Sequence, residues 1–281
     1  MDAPELDGIE VELFVQALQK RHGYDFGQYA PASLKRRVRL LADQLGCKTI
    51  SGLTERMLHE PQLLPNVLEG LTVPTSEMFR DPAMFRALRE KVFPLLASYP
   101  HINIWQAGCA HGQEVYSLAI LLEEAGLYDR AQIFATDLSD RALHRAQEGI
   151  YPVKEAQQWS RNYQAAGGLN SLADYCSAGY KFIKLNQRLR RHVTFAVHNL
   201  ATDGVFCEAH LVLCRNVMIY FSDALQDRAL TLFRDSLVRG GFLCLGLREN
   251  LNPAPHAQDF SPFDQAARIY RFTAHLDGAH A

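Results

Sequence analysis

The sequence predicts an α/β protein whose mostly parallel sheet is covered on both faces, preceded by a small all-helical domain. Three observations carry this expectation. From residue 102 onward, short apolar runs alternate with stretches of helical periodicity. A glycine turn, "WQAGCAHGQEVYSLAI" (105–120), joins the first of those runs to the first helical stretch. The first seventy residues carry helical spacing only. Alternation of this kind means βαβ units.

In the first part, Val11, Phe14, Val15 and Leu18 recur at helical spacing, as do Leu34, Val38, Leu41 and Leu45, a run ended by Gly46. "SGLTERMLHE" and then Leu63, Leu64, Val67 and Leu68 give a third and a fourth helix. Proline and hydroxyl residues in "LTVPTSEMFRDP" break the pattern, so residues 1–70 form the helical domain and 71–281 the second domain. Asp81 as N-cap and Pro82 at the first helical position open a helix through Leu96, with Phe85, Leu88 and Val92 on its buried stripe. Strands follow at "INIW", "AQIFATD", "HLVLCRNV" and "FLCLGL"; helices at "EVYSLAILLEEAG", "SDRALHRAQEG" with Ser139 as cap, and "SDALQDRALTLFRDSLVRGG". "ARIYRFT", with no helix after it, suits antiparallel insertion at the sheet's edge. Between Tyr151 and Arg191 the rhythm is lost. There "YKFIKL" and, just beyond, "VTFAVHNL" read as strands of a small inserted sheet, a candidate docking element.

Composition excludes several classes. No apolar run reaches the roughly 18 to 20 residues of a membrane span, and the acidic start "MDAPELDGIEVE" lacks the positive and apolar regions of a secretory signal. A cytoplasmic protein without membrane insertion is expected. Six cysteines without C-x-x-C pairs read as reduced core thiols. A net charge of −2 gives no reason to expect nucleic acid. His111 lies in the glycine turn, but no second histidine or cysteine stands at ligand spacing, so no metal is expected.

The glycine turn is spelled G-x-x-x-G from Gly108 to Gly112, not G-x-G-x-x-G, and no Gly-Lys-Ser/Thr follows to hold a polyphosphate. Asp137 ends the second strand 25 residues after Gly112, where a carboxylate accepts hydrogen bonds from ribose hydroxyls; otherwise it only assists the next helix start. Glu114 falls in the first turn of the helix, a position the helix dipole favours. It would repel a phosphate and suits a cation. The turn therefore reads as holding an uncharged adenosine with a cationic amino-acid tail, as in S-adenosylmethionine. Arg215 and Asn216 fall at the carboxyl end of a central strand, and Asn199 at the end of another. Each asparagine alone is commonly a turn residue, but two facing one crevice favour cofactor contacts. Arg80 in "TSEMFRDP" suits bidentate pairing with a carboxylate. Lys35, Arg36, Arg37 and Arg39 share one helix, either as a solvated face or as a dock for an acidic helix.

Taken along nearly the whole chain, "YDFGQYAPASLKRR", "EMFRDP", "AGCAHGQEVYSLA", "FATDLS", "HNL", "CRNVMIYF" and "LGLREN" resemble the CheR-type chemotaxis receptor methyltransferases, which move methyl groups from S-adenosylmethionine to glutamates on receptor helices. "CRNVMIYF" with "MFRDP" is the specific part. The resemblance implies a Rossmann-like seven-stranded methyltransferase sheet with a small β insert (151–191), and S-adenosylhomocysteine as product. It implies a cofactor pocket lined by Ser76, Arg80, Gly108, Glu114, Asp137, Asn199, Leu200, Asn216 and Val217. Arg80 and Tyr220 would stand nearest the chemistry. Lys35, Arg36, Arg37 and Arg39 would dock the cytoplasmic helices of a methyl-accepting receptor.

The chain departs from the family's usual spelling in two places. The turn reads Ala110, His111, Gly112, Gln113, Glu114 where Ser-Thr-Gly-Glu-Glu is usual, and Pro74, Thr75, Ser76 stand in place of Asn-x-Thr. A non-catalytic S-adenosylmethionine-binding signalling module is therefore an alternative. A nicotinamide-dependent oxidoreductase is another, disfavoured by the absent G-x-G-x-x-G. Some family members tether themselves to a receptor's terminal peptide through a glycine-rich loop of the insert. The glycine-free "LNQRLRRH" leads to the expectation of no such tether here.

Overall fold

The computed structural model describes residues 3–72, 74–251 and 257–273. Four helices come first: α1 (Ala3–His22), α2 (Pro31–Gln44), α3 (Ile50–His59) and α4 (Leu64–Leu71). Their apolar stripes close on a core of their own in which Phe14, Leu18, Phe26, Val38, Leu53 and Val67 are buried. Full burial of each such side chain stabilises by roughly 1.5–3 kcal/mol. A helical set without sheet support therefore holds together.

The main sheet has seven strands in the order β6-β2-β1-β7-β8-β10-β9. Its parallel part consists of β1 (Ile102–Ala107), β2 (Ala131–Asp137), β6 (Val193–Val197), β7 (Ala209–Cys214) and β8 (Leu237–Leu245). As expected of the late strand, β10 (Ile269–Phe272) runs antiparallel to β8. Beyond it lies β9 (Phe260–Asp264), a strand the periodicity did not suggest because Pro262 interrupts it, which an edge position tolerates. Helices α7 (Gln113–Glu124), α8 (Asp140–Glu148) and α10 (Asp223–Ser236) pack against the sheet. The chain order reverses between β1 and β7, so a crevice opens at their carboxyl ends.

Four local expectations are corrected. "VTFAV" is no part of an inserted sheet; it is β6, paired in parallel with β2 from Ile133↔Val193 to Asp137↔Val197. The insert interrupts the β2–α8–β6 crossover, which is why the rhythm fails there. The inserted sheet is β3 (Ile150–Pro152), β5 (Phe182–Leu185) and β4 (Cys176–Ala178), with helix α9 (Ala156–Ala165) between its strands. Its hairpin turns at Gly179, where Gly179 N–H donates to Phe182 O at 2.8 Å, so "LNQRLRRH", on which the expectation of no tether rested, is not the loop between the insert's strands. The strand β8 begins at Leu237, four residues before the predicted end of the preceding helix at Gly240–Gly241. Asp81 does not cap: it adopts a left-handed conformation, φ 56°, and its side chain makes no cap hydrogen bond.

The helix it precedes is also irregular. Two short α segments, α5 (Pro82–Ala87) and α6 (Phe93–Leu96), flank a wide π-turn at Leu88–Val92, next to Pro94 with its missing N–H. Ser139 does cap α8, accepting from Ala142 N–H at 3.2 Å. All six cysteines are free thiols. Among the described residues no helix is long and apolar enough to cross a membrane, and no cluster of three or more His, Cys, Asp and Glu side chains is arranged to hold a metal.

Candidate active site

At the carboxyl ends of β1, β2 and β7 lies an open cavity, the place where α/β sheets of this kind bind ligands. One wall is the glycine turn. Gly108 has φ 73°, and a Cβ there would strike Val217 Cγ2, so only glycine lets the two loops meet. Gly112, φ 83°, passes Ala146 of α8 so closely that a Cβ would come within 2.7 Å of the alanine's own. The turn is tied to β2: Gly108 and Cys109 N–H both donate to Thr136 O, at 2.8 and 2.9 Å.

Asp137 completes that tie. Its Oδ2 accepts from Ala110 N–H at 2.8 Å and its Oδ1 from Ser139 N–H at 2.9 Å. Burial raises its pKa above the ordinary 3.8, against the pull of those N–H groups. Each oxygen keeps a lone pair for a ligand hydroxyl.

Glu114 lines the same cavity but is not an open carboxylate. Gln106 Nε2 donates to its Oε1 at 2.8 Å, and Arg215 Nη1 pairs with its Oε2. Arg215 reaches on with Nη2 to Asp81 Oδ2 at 2.7 Å and to the Arg80 carbonyl at 3.2 Å. The cap expected of Asp81 is thus replaced by an ion pair. Burial raises the Glu114 pKa, and the Arg215 and Arg80 guanidinium groups pull it down.

The loop after β7 carries Asn216, Val217 and Tyr220. Asn216 has φ 59°, a strained value for a non-glycine residue although asparagine tolerates it best. Glu249 holds it there: one oxygen accepts from Asn216 N–H (2.9 Å) and Gly246 N–H (2.6 Å), the other from Val217 N–H (2.9 Å) and Ile219 N–H (3.3 Å). The helical domain supplies the opposite wall. Arg37 lies over the Tyr220 ring, 4.0 Å from its centroid, and its Nη1 donates to Leu71 O.

Of the residues expected at the cofactor, Ser76, Arg80, Gly108, Glu114 and Asp137 all line the cavity. Asn199, Leu200, Asn216, Val217 and Tyr220 line it too. The basic set divides. Arg37 is buried and faces inward, whereas Arg36 and Arg39 are exposed and Arg39 pairs with Asp7 at 3.0 Å. Adjacent helix positions lie about 100° apart, so these four cannot share one face. Sequence reasoning missed Gln106, Glu249 and the bridging role of Arg215. "CRNV" and "LGLREN" contained two of them, but nothing local marks a side chain whose partners lie elsewhere in the fold. The departures His111 and Gln113 do not line the cavity; His111 Nε2 instead meets Arg145 Nη1 at 3.3 Å.

Against known proteins, residues 9–72 match the all-alpha domain of CheR methyltransferases, and residues 74–267 match their SAM-binding domain. The chain belongs to the CheR methyltransferase family. The putative methyltransferase Cher3 of Pseudomonas putida is 47% identical over 263 residues, covering 94% of this chain and 96% of that one. Chemotaxis protein methyltransferase 1 of Pseudomonas aeruginosa is 30% identical over 266 residues, covering 88% and 92%. The chemotaxis protein methyltransferase of Listeria monocytogenes is 28% identical over 246 residues, covering 86% and 91%.

A CheR methyltransferase uses S-adenosylmethionine, and the cavity fits that molecule. Its glycine turn brings no lysine or arginine of its own to meet a phosphate. Gln106 Oε1 is a buried acceptor without a partner among the described residues, suited to a cationic N–H donor.

Proposed function

We propose that this chain O-methylates glutamate side chains on the cytoplasmic helices of a chemotaxis-type receptor. The observation that carries the reading is that two guanidinium groups, Arg80 and Arg37, line the cavity together with Tyr220, Arg37 lying over the Tyr220 ring. Guanidinium groups at a cavity suit a visiting carboxylate. A glutamate, pKa near 4.3, is already a nucleophile at neutral pH and needs no general base. S-adenosylmethionine supplies the methyl group. The protein's own work is to align the carboxylate in line with it and to exclude water. Arg80 orients the carboxylate; Tyr220, held flat by Arg37, sets its approach.

Of the departures from the family's usual spelling, His111 and Gln113 stand away from the cavity, whereas Ala110 and Pro74 line it. With radiolabelled S-adenosylmethionine and a receptor cytoplasmic fragment, the label should enter the receptor and leave as methanol in mild base, as an ester does. Label stable to base, or none transferred under saturating cofactor, removes the proposal.

A groove lined by Arg36, Arg39, Leu40, Asp43, Glu69 and Arg141 runs along α2 and continues to Thr72 and Pro74 at the cavity mouth, with Arg39 paired to Asp7 and Arg141 to Glu69. The exposed Arg36 and Arg39 at its edge are the charges that an acidic helix would meet. Attraction of this kind weakens as the Debye length falls from about 10 Å at 0.1 M salt to about 3 Å at 1 M. The apparent KM for the receptor should therefore rise with salt in the parent and rise less in an Arg36→Glu, Arg39→Glu variant. Superimposable salt curves would make these charges a solvated face.

A further inference from the structure

The helical domain reaches the cofactor cavity through a side chain that periodicity does not single out, Tyr29. Residues Gln28 to Ala30 form a short antiparallel bridge with Tyr220 to Ser222. Ala30 N–H donates to Tyr220 O and Ser222 N–H to Gln28 O, both at 2.8 Å, with Tyr29 opposite Phe221. The Tyr29 ring is held between Phe26, 4.6 Å between centroids, and Phe221, 5.2 Å in an edge contact. So fixed, it lines the same cavity as Asp137, Leu138 and Leu200, near enough for the Asp137 carboxylate to act on its hydroxyl. No described residue hydrogen-bonds its hydroxyl. Burial first, and then the Asp137 carboxylate, push the phenol above its ordinary range, with Arg37 opposing, so it remains a neutral O–H donor.

We propose that Tyr29 is a cofactor-binding residue whose hydroxyl donates to a ribose oxygen across from Asp137, so that the helical domain contributes directly to S-adenosylmethionine affinity. The inference rests on Asp137 holding the ribose. An ionised carboxylate only accepts, whereas each ribose hydroxyl both donates and accepts. A donor opposite Asp137 therefore completes the diol's hydrogen bonding. A lysine or arginine at that place would pair with Asp137 itself; a neutral phenol leaves the carboxylate available. Because the Tyr29 backbone is paired with Phe221, cofactor contact and the placing of Tyr220 are mechanically one unit.

The test uses the full chain and calorimetric titration with S-adenosylhomocysteine and with its analogue lacking the 2′ and 3′ hydroxyls. Tyr29→Phe keeps the ring contacts and should weaken binding of S-adenosylhomocysteine roughly three- to tenfold, the range for one neutral hydrogen bond. It should bind the deoxygenated analogue as the parent does. Asp137→Ala, measured in parallel, should weaken S-adenosylhomocysteine by about tenfold or more. Parent-like binding by Tyr29→Phe alongside a weakened Asp137→Ala overturns the role of Tyr29 and leaves the ribose assignment standing. Parent-like binding by both variants overturns the ribose assignment and this inference with it. An equal loss by Tyr29→Phe for both ligands also overturns it, since the hydroxyl then acts elsewhere than on the ribose.

Discussion

Arg215→Ala should cost about 3–5 kcal/mol of stability at neutral pH, the size expected when one partner of a buried ion pair is removed and the others stay charged. The Arg215 side chain is 1% exposed and bridges Glu114, 8% exposed, to Asp81. Without it, Glu114 faces burial with only Gln106 as a close donor. The pH dependence has a definite sign. Burial already raises the folded-state pKa of Glu114 above 4.5, and loss of Arg215 raises it further. A carboxyl with a raised folded pKa contributes stability below its unfolded pKa, and that contribution is lost as pH rises through the folded value. The deficit of Arg215→Ala relative to the parent should therefore shrink as pH falls toward 4.5 and grow toward neutrality. Urea unfolding of both proteins across that range measures it. A deficit independent of pH would mean that Glu114 does not carry the buried charge.

Arg80→Ala should lower turnover of a glutamate-bearing receptor fragment by a factor on the order of 10², the cost of losing reactant alignment. Its backbone is anchored by Arg215 at 3.2 Å and it lines the cavity, so the change removes a lining guanidinium and leaves the loop in place. The loss should fall mainly on kcat, with S-adenosylhomocysteine affinity changed far less. Arg80→Lys should recover little, because an ammonium has no planar fork for a carboxylate. Unchanged kcat in Arg80→Ala would remove Arg80 from methyl transfer.

These two arginines differ in how legible they were. Arg80 was picked out because a guanidinium suits bidentate pairing with a carboxylate and because "MFRDP" is a specific part of the family resemblance. Arg215 stood in full view at the end of β7, yet its role was invisible: its partners Glu114 and Asp81 lie 101 and 134 positions away. Glu249 was hidden for the same reason, its four N–H donors belonging to two loops joined only in the fold. Tyr29 was hidden because a tyrosine beside proline and glycine residues carries no periodicity.

What the sequence by itself determined is local in origin. Helical spacing in the first seventy residues, the alternation of strands and helices, the glycine turn at Gly108 and the carboxylate ending β2 all depend on relations within a few positions, which backbone geometry enforces without regard to the rest of the chain. Those relations located the crevice, and the family resemblance added Ser76, Leu200, Val217 and Tyr220 to the residues that line it. Only the tertiary structure decided which way each charge turns. Arg37 and Arg39 stand two positions apart on one helix, and packing against Leu71 and Tyr220 buries the first while the second stays exposed beside Asp7. Packing likewise sent "VTFAV" to the main sheet, since a strand's partner is set by what lies beside it once α8 and the insert have folded back. It also converted Glu114 from an open anion into one side of an ion pair, because the Coulomb energy of a buried carboxylate depends on the nearest guanidinium in space, and sequence distance does not enter that sum.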